Sequence, residues 1–370
     1  MSLIKRLVLI FFACAAALPV FLFSGGSASG RDSGEAGIPV VTDFSLPEFL
    51  SLCGERLPLE RRSVREMLDR EFTMAVWDRA QVFMWLKRSG RYFPYIEKRL
   101  AEEGMPQDLK YLAVAESALI THIRSPRGAM GPWQFMPRTG REIGLRKNNR
   151  LDERKDFEKA TDAALSYLKE LHSKFGSWTL AMAAYNCGDR RLGDEIKLQR
   201  VKDFYRLNLP LETERYIFRI ASIKLIMENP SRYGYHLPED RIYRPLSCER
   251  HEVNPEAMIP IVDLAEALDT DFKTIKELNP HILGEYLPAG RYKLRVPAGC
   301  GPRLTEMINR LSTKIAKTGG AITGEVYVVR PGDTLIHISR RSGTPVDTIR
   351  RLNNLQGSLI RVGQRLRLSP

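Results

Sequence analysis

Cysteine and histidine are scarce, with five and six in a chain of 370 residues. No two cysteines stand in a CxxC arrangement and the histidines are scattered, so metal-ligand spacing is missing and no metal or cofactor is implied. Acidic residues are also short: 44 Asp and Glu face 57 Lys and Arg, a formal charge of +13. From Gly301 to Pro370 twelve basic residues face four acidic ones. Such a balance suits an acidic partner: nucleic acid, an anionic membrane or an anionic wall polymer. Charge alone does not choose among them. The rest of the composition is that of a folded protein, long enough for two or three domains.

The N-terminus narrows the choice. Lys5 and Arg6 precede a nearly unbroken apolar run, Leu7 to Phe23, and small residues follow. That order matches a secretory signal peptide over residues 1–29, with small-x-small cleavage candidates around Ser27 to Ser29. The run is long for a signal, so a retained membrane anchor is the alternative. Cys14 raises lipidation, but Phe11 and Phe12 before it fit a lipoprotein signal poorly. Export argues against nucleic acid as the partner. Four cysteines then remain, Cys53, Cys187, Cys248 and Cys300, and their even number permits disulfides. Cys248 and Cys300 bracket one segment and are a candidate pair; two buried free thiols fit as well.

Residues 30–43 are polar and glycine-containing, as in a linker. From about Phe44 to Asn229 apolar residues recur at three and four, with Gly90, Gly104, Pro106, Gly176 and Pro210 as breaks. No run of alternating strands interrupts them. This predicts an all-α domain over 44–235. The segment 248–300 and the tail from Glu325 differ from it, with a short helix and a Gly/Thr linker predicted between them over 301–324. The two share a repeat: TDFKTIKELN (Thr270 to Asn279) aligns without gaps on TPVDTIRRLN (Thr344 to Asn353). In the second copy Thr344 suits an N-cap, Pro345 the first helical position, and Asp347 a returning capping bond. Each copy leads through a glycine to an alternating strand, RYKLRV or QRLRL. Repeated units of this kind suggest small α+β binding modules of βααβ order.

In LKYLAVAESALI, Leu109, Leu112, Ala113, Leu119 and Ile120 fall on the helical face of Glu116. A carboxyl on that core-facing stripe holds its proton more tightly, as a general acid near neutral pH must. Ser117 beside it can donate a hydrogen bond. The loop RSPRGAMGPWQFMP follows, constrained by glycines and prolines. It carries Gln134 and Met136 between the apolar Trp133 and Phe135. A buried amide needs partners, which sugar hydroxyl and acetamide groups would supply. Tyr185 and Asn186 fall at the end of the helix in GSWTLAMAAYNCG, and Glu212 and Tyr216 stand one turn apart in ETERY.

The pieces AES (115–117), GPWQFMP (131–137), AAYN (183–186) and ETERY (212–216) resemble, in order, the soluble lytic transglycosylase (SLT) domain. Residues 325–369, with YVVRPGDTL, IRRLNNL and RVGQRLRL, resemble a LysM domain. Residues 248–300 resemble a degenerate LysM-like module that lacks the first of these motifs. Together they resemble the membrane-bound lytic murein transglycosylases. The resemblance implies a lysozyme-like catalytic domain followed by LysM modules. Its substrate is peptidoglycan, bound also through N-acetylglucosamine at the LysM domain, in the periplasm or cell envelope. It implies Glu116 as acid/base and substrate contacts at Gln134, Met136, Tyr185 and Asn186, with Ser117 supporting. Tyr216 would face Glu116, and Glu212 would steady that end of the site. Cys187 departs from the small residue common there. Two rivals stay open: a lysozyme-like hydrolase on the same scaffold, and a non-catalytic wall-binding protein.

Overall fold

The computed structural model describes residues 45–317 and 325–369. The signal or anchor of residues 1–29 and the linker of 30–43 lie outside them. Among the described residues no helix is long and apolar enough to cross a membrane.

The helical domain opens with a small antiparallel hairpin, β1 (Ser51–Leu52) and β2 (Glu55–Arg56), where only helix was expected. Eight helices follow: α1 (Arg62–Trp77), α2 (Arg79–Glu102), α3 (Lys110–Ser117), α4 (Pro137–Glu142), α5 (Phe157–Phe175), α6 (Trp178–Cys187), α7 (Asp189–Gln199) and α8 (Leu211–Glu228). Asp78, Asp156 and Ser177 cap α2, α5 and α6 with their side chains, and Gly176 ends α5 in a left-handed conformation. The very apolar α6 is enclosed by its neighbours: Leu180 to Ala184 are all buried.

Two local expectations fail. Gly90 does not break a helix; α2 runs through it and through Pro94. A Cβ on Gly90 would lie 2.1 Å from Ile242 Cγ2, so the glycine makes room for the segment that crosses α2 there. Helix α3 ends at Ser117, not Ile120. Ala118 and Leu119 both take positive φ, 50° and 61°, turning the chain sharply just after Glu116.

Residues 248–317 form the second body. Strand β3 (Cys248–Val253) pairs antiparallel with β6 (Tyr292–Pro297), and a second, two-residue pair joins β4 (Ile259–Pro260) to β5 (Tyr286–Leu287). Helices α9 (Ile261–Ala267) and α10 (Phe272–Leu278) lie between. The module forms its first strand, β3, without the entry motif of the tail. The short helix expected ahead of the Gly/Thr linker is α11 (Gly301–Lys317), with Leu304 and Ile308 in the module's core. Residues 318–324 of that linker lie outside the description. The tail repeats the βααβ order: β7 (Val326–Val328), α12 (Leu335–Ser342), α13 (Val346–Leu352) and β8 (Arg365–Arg367), around a small core of its own. All four described cysteines are free, so Cys248 and Cys300 are not paired; the buried Cys300 thiol donates to Leu268 O.

The repeat has a structural meaning. Asn279 Nδ2 donates to Ile275 O and Arg295 O, and its Oδ1 accepts from Arg295 N at 2.8 Å. Asn353 makes the same three bonds to Ile349 O, Arg367 O and Arg367 N. One asparagine thus ends the second helix and ties it to the last strand in both modules. The capping of α13 differs from expectation: Thr344 donates to Leu368 O at 2.8 Å, and Pro345 stands at the N-cap.

The first module is docked on the helical domain. Leu151 joins its core, bridging to Ile282, and Asp152 N donates to His281 O at 2.9 Å. Beneath this bridge, Arg295 grips Asp156 with both terminal nitrogens at 2.9 Å, and Arg250 pairs with Glu158. His281, buried beside them, is pushed down to about 4 by loss of hydration, against the pull of Asp156.

Candidate active site

Glu116 sits in the last turn of α3, half-buried, in a groove of about 400 Å³ walled by α1, α2, α3 and α8. Burial raises its pKa to about 7, against the lowering effect of the Tyr216 hydrogen bond and the Arg219 charge; Glu212 adds a smaller upward push. The Tyr216 hydroxyl, brought in by α8, donates to Glu116 Oε1. Tyr216 is itself buried and its own pKa stands well above the usual tyrosine value, so it stays a donor.

The groove holds two other carboxyls, and both are committed. Glu71 of α1, 5% exposed, meets Arg70, Arg215 Nε at 2.7 Å and Arg219 Nε at 3.6 Å. Asp78 caps α2. Glu116 is therefore the groove's one carboxyl free of both cation contact and capping among the described residues.

The other expected residues take unequal places. Ser117 lines the groove but is largely buried, and its hydroxyl, 2.8 Å from Pro132 O and 3.1 Å from Ala113 O, fastens the 131–137 loop to α3. Gln134 takes φ 48° and spends its amide N–H groups on Gly131 O at 2.7 Å and Ile123 O at 3.2 Å. Its oxygen has no protein donor among the described residues and is left to accept. Met136 is exposed. The Tyr185 hydroxyl donates to Trp133 O at 2.7 Å, and its ring stands 5.7 Å from that of Phe135. Asn186 Oδ1 accepts from Thr213 Oγ1 at 3.0 Å, joining α6 to α8. Glu212 is exposed and pairs with Arg219 at 3.1 Å, not with Tyr216. Burial raises the Cys187 thiol above its ordinary value, keeping it protonated.

Sequence reasoning missed the supports. Glu71 lies with Val64, Leu68 and Phe72 on the buried stripe of α1. The signal that singled out Glu116, a carboxyl on an apolar face, was there to be read. Arg154 stands in the run LDERKD and reads as a solvated charge. It is 3% exposed, bidentate on Asp152 at 2.8 and 2.7 Å, and donates to Phe135 O at 2.8 Å and Gly128 O at 3.1 Å. It clamps the loop from below. Gly131 lies over Arg154 O, where a Cβ would come within 1.8 Å, and has φ 85° besides.

With this geometry in view, residues 93–208 match the Transglycosylase SLT domain and residues 327–369 the LysM domain. Both fall inside the segments expected for them. Membrane-bound lytic murein transglycosylase D of Escherichia coli (strain K12) is 32% identical over 290 residues, which is 75% of this chain and 63% of that protein. The chain thus spans a little under two thirds of that relative's length. A putative tributyltin chloride resistance protein of Alteromonas sp. (strain M-1) is 31% identical over 111 residues, 29% of this chain and 54% of its own. Among solved structures, a lytic transglycosylase Slt from Pseudomonas aeruginosa aligns at 20% identity and TM-score 0.30, covering 41% of this chain and 26% of that one.

Proposed function

Because the chain carries an SLT domain ahead of a LysM domain, we propose that it is a peptidoglycan lytic transglycosylase that uses Glu116 as its single acid and base. The observation that carries this is the state of the groove's carboxyls: burial raises the pKa of Glu116 to about 7, and Glu71 and Asp78 are tied up. A two-carboxyl glycosidase would need a second free one.

Glu116 gives its proton to the oxygen linking N-acetylmuramic acid to N-acetylglucosamine, and that C1–O bond breaks. Positive charge gathers on the muramic C1, where the sugar's own acetamide stabilises it. The Glu116 carboxylate, steadied by the Tyr216 hydroxyl, then takes the proton of the muramic 6-hydroxyl. The freed oxygen closes on C1 as a 1,6-anhydro ring. A hydroxyl tethered to the reacting sugar outruns water through its high effective concentration. Gln134, through its free oxygen, and the exposed Met136 belong to the wall that receives the glycan, with Tyr185 and Asn186 behind them. Ser117 and Glu212 act through neighbours.

The N-terminal leader takes the chain to the cell envelope, where it is kept as an anchor or removed. The LysM domain holds it on N-acetylglucosamine-containing glycan and raises the local substrate concentration. The test is to digest purified peptidoglycan with the exported chain and weigh the soluble products. Fragments one water lighter than hydrolysed ones, without reducing ends, are expected. Reducing ends would mean a lysozyme-like hydrolase. No release, with the protein still bound to the wall, would mean a scaffold.

A further inference from the structure

A second cavity, of about 760 Å³, opens between α2 of the helical domain and α10 of the docked module. Ile120 lines both this cavity and the Glu116 groove, so the two are neighbours across the sharp turn after α3. The formally charged residues of the wall are mostly cationic: Arg88 and Arg91 from α2, Lys273 and Lys276 from α10, against Glu277. Lys273 stands 3.6 Å from Glu277, both side chains being exposed, which is a weak pairing. The other three meet backbone carbonyls, and Arg91 also lies over the Tyr243 ring, 5.3 Å from its centroid. Arg88 donates to Ala118 O at 3.1 Å, Arg91 to Arg244 O at 3.1 Å, and Lys276 to Gly284 O at 2.9 Å. Carbonyls occupy some of their donors but leave the charge unanswered, and no carboxylate answers it among the described residues. Phe272, 37% exposed, and the exposed Tyr243 add apolar surface to the same walls.

We propose that this cavity is a substrate subsite for the anionic stem peptide of a strand whose sugars lie in the Glu116 groove. The inference rests on the reading of that groove as a glycan site. Neutral sugars would leave the cations without a partner, whereas the peptide carries carboxylates at intervals along an extended backbone. Arginine and lysine meet carboxylates through charge-assisted bonds, stronger than those they make to carbonyls. Part of the wall, with two of its four Lys and Arg side chains, comes from α10, so the first module serves the substrate through its docking. The chain should therefore prefer peptide-bearing strands to bare glycan.

The test measures binding to the full exported chain carrying Glu116→Gln, so that no turnover intervenes. Two ligands are compared: glycan oligomers with stem peptides, and the same oligomers after the peptides are removed and the muramic lactyl carboxylates so exposed are capped as amides. Peptide-bearing oligomers should bind about tenfold more tightly or better, the scale of one or two charge-assisted contacts. Arg91→Gln with Lys273→Gln should erase that preference and leave the affinity for bare glycan unchanged. Both replacements keep a polar head, and the exposed Lys273→Gln alone should already reduce the preference if the pair unsettles the fold. Equal affinity for the two ligands, or a preference the variants do not touch, would overturn the subsite. Failure of the parent reading looks different: neither ligand would bind in the groove, and the digest would release no anhydro product.

Discussion

Glu116 and Tyr216 make one titrating unit. The acid step needs a protonated Glu116, so kcat/KM should fall as pH rises past about 7. Tyr216→Phe removes a bond that favours the carboxylate; the alkaline limb should move to higher pH, read from a pH–rate profile of both proteins. A profile that does not move would detach Tyr216 from the acid. Glu116→Gln should abolish turnover. Its stability carries a second signature. A carboxyl with a raised folded pKa contributes stability that is complete below about 4.5 and lost as pH rises through about 7. The Gln variant should therefore gain in melting temperature on the wild type as pH climbs through that window. The unequal legibility of single residues has a physical cause. Glu116 was singled out because its apolar stripe stood among three further spaced motifs; Glu71, on a like stripe of α1 without such company, was passed over. Gln134 was singled out as an amide in an apolar loop, yet its N–H groups turned to Gly131 O and Ile123 O. Only the folded loop decides which of an amide's groups remain for a ligand.

The 131–137 loop shows how an element is held. Ser117 fastens it from α3, Tyr185 from α6, and Arg154 from the segment before α5. Arg154→Ala would leave Asp152 buried and unpaired and free two loop carbonyls, a loss of about 3–5 kcal/mol. Denaturant unfolding should show that loss, and kcat should fall with it. Arg154→Lys, which cannot make the paired contact, should recover only part of either. Gly131→Ala should damage the same loop without touching a charge, because its Cβ has no room above Arg154 O. Full activity in the alanine variant would show that the loop's position does not matter to the reaction. Helices and both βααβ modules were legible from periodicity and from the repeat. The end of α3 was not, because nothing in Ala118-Leu119 announces two left-handed residues. Gly90 was misread for a related reason: what it makes room for, Ile242, lies 152 positions away.

At the scale of the whole molecule, the first module and the helical domain share a seam. Asp152 and Asp156 contact the module on one side of Arg154, and Arg154 grips the 131–137 loop on the other. Asp156, drawn down to about 2 by Arg295 despite its burial, keeps its charge through ordinary acid conditions. The sensitive member is His281, packed against Asp156 and Arg295 and within the fields of Glu153 and Lys159. Between about pH 6.5 and 4 the unfolded chain takes up a proton that the docked histidine refuses, so stability should drop across that window. His281→Asn should flatten the drop, as followed by thermal melting against pH. The seam escaped the sequence because LDERKDFEK reads as a run of surface charge. Its partners, His281 and Arg295, stand more than a hundred residues on.

Leu151 draws out one more consequence. A residue of the helical domain completes the hydrophobic core of the module after it, so the boundary seen in sequence is not where the protein divides. As a heritable part, the helical domain and the first module form a single cassette, and recombination between them would leave each half with an open wound. A fragment of residues 45–317 should fold, and one of residues 45–247 should melt at a lower temperature. Equal melting would make the module a mere passenger. The terminal LysM domain keeps its hydrophobic core to its own residues and meets the helical domain where Arg150 donates to Ser342 O at 2.7 Å, so its loss should wound the rest less than loss of the first module.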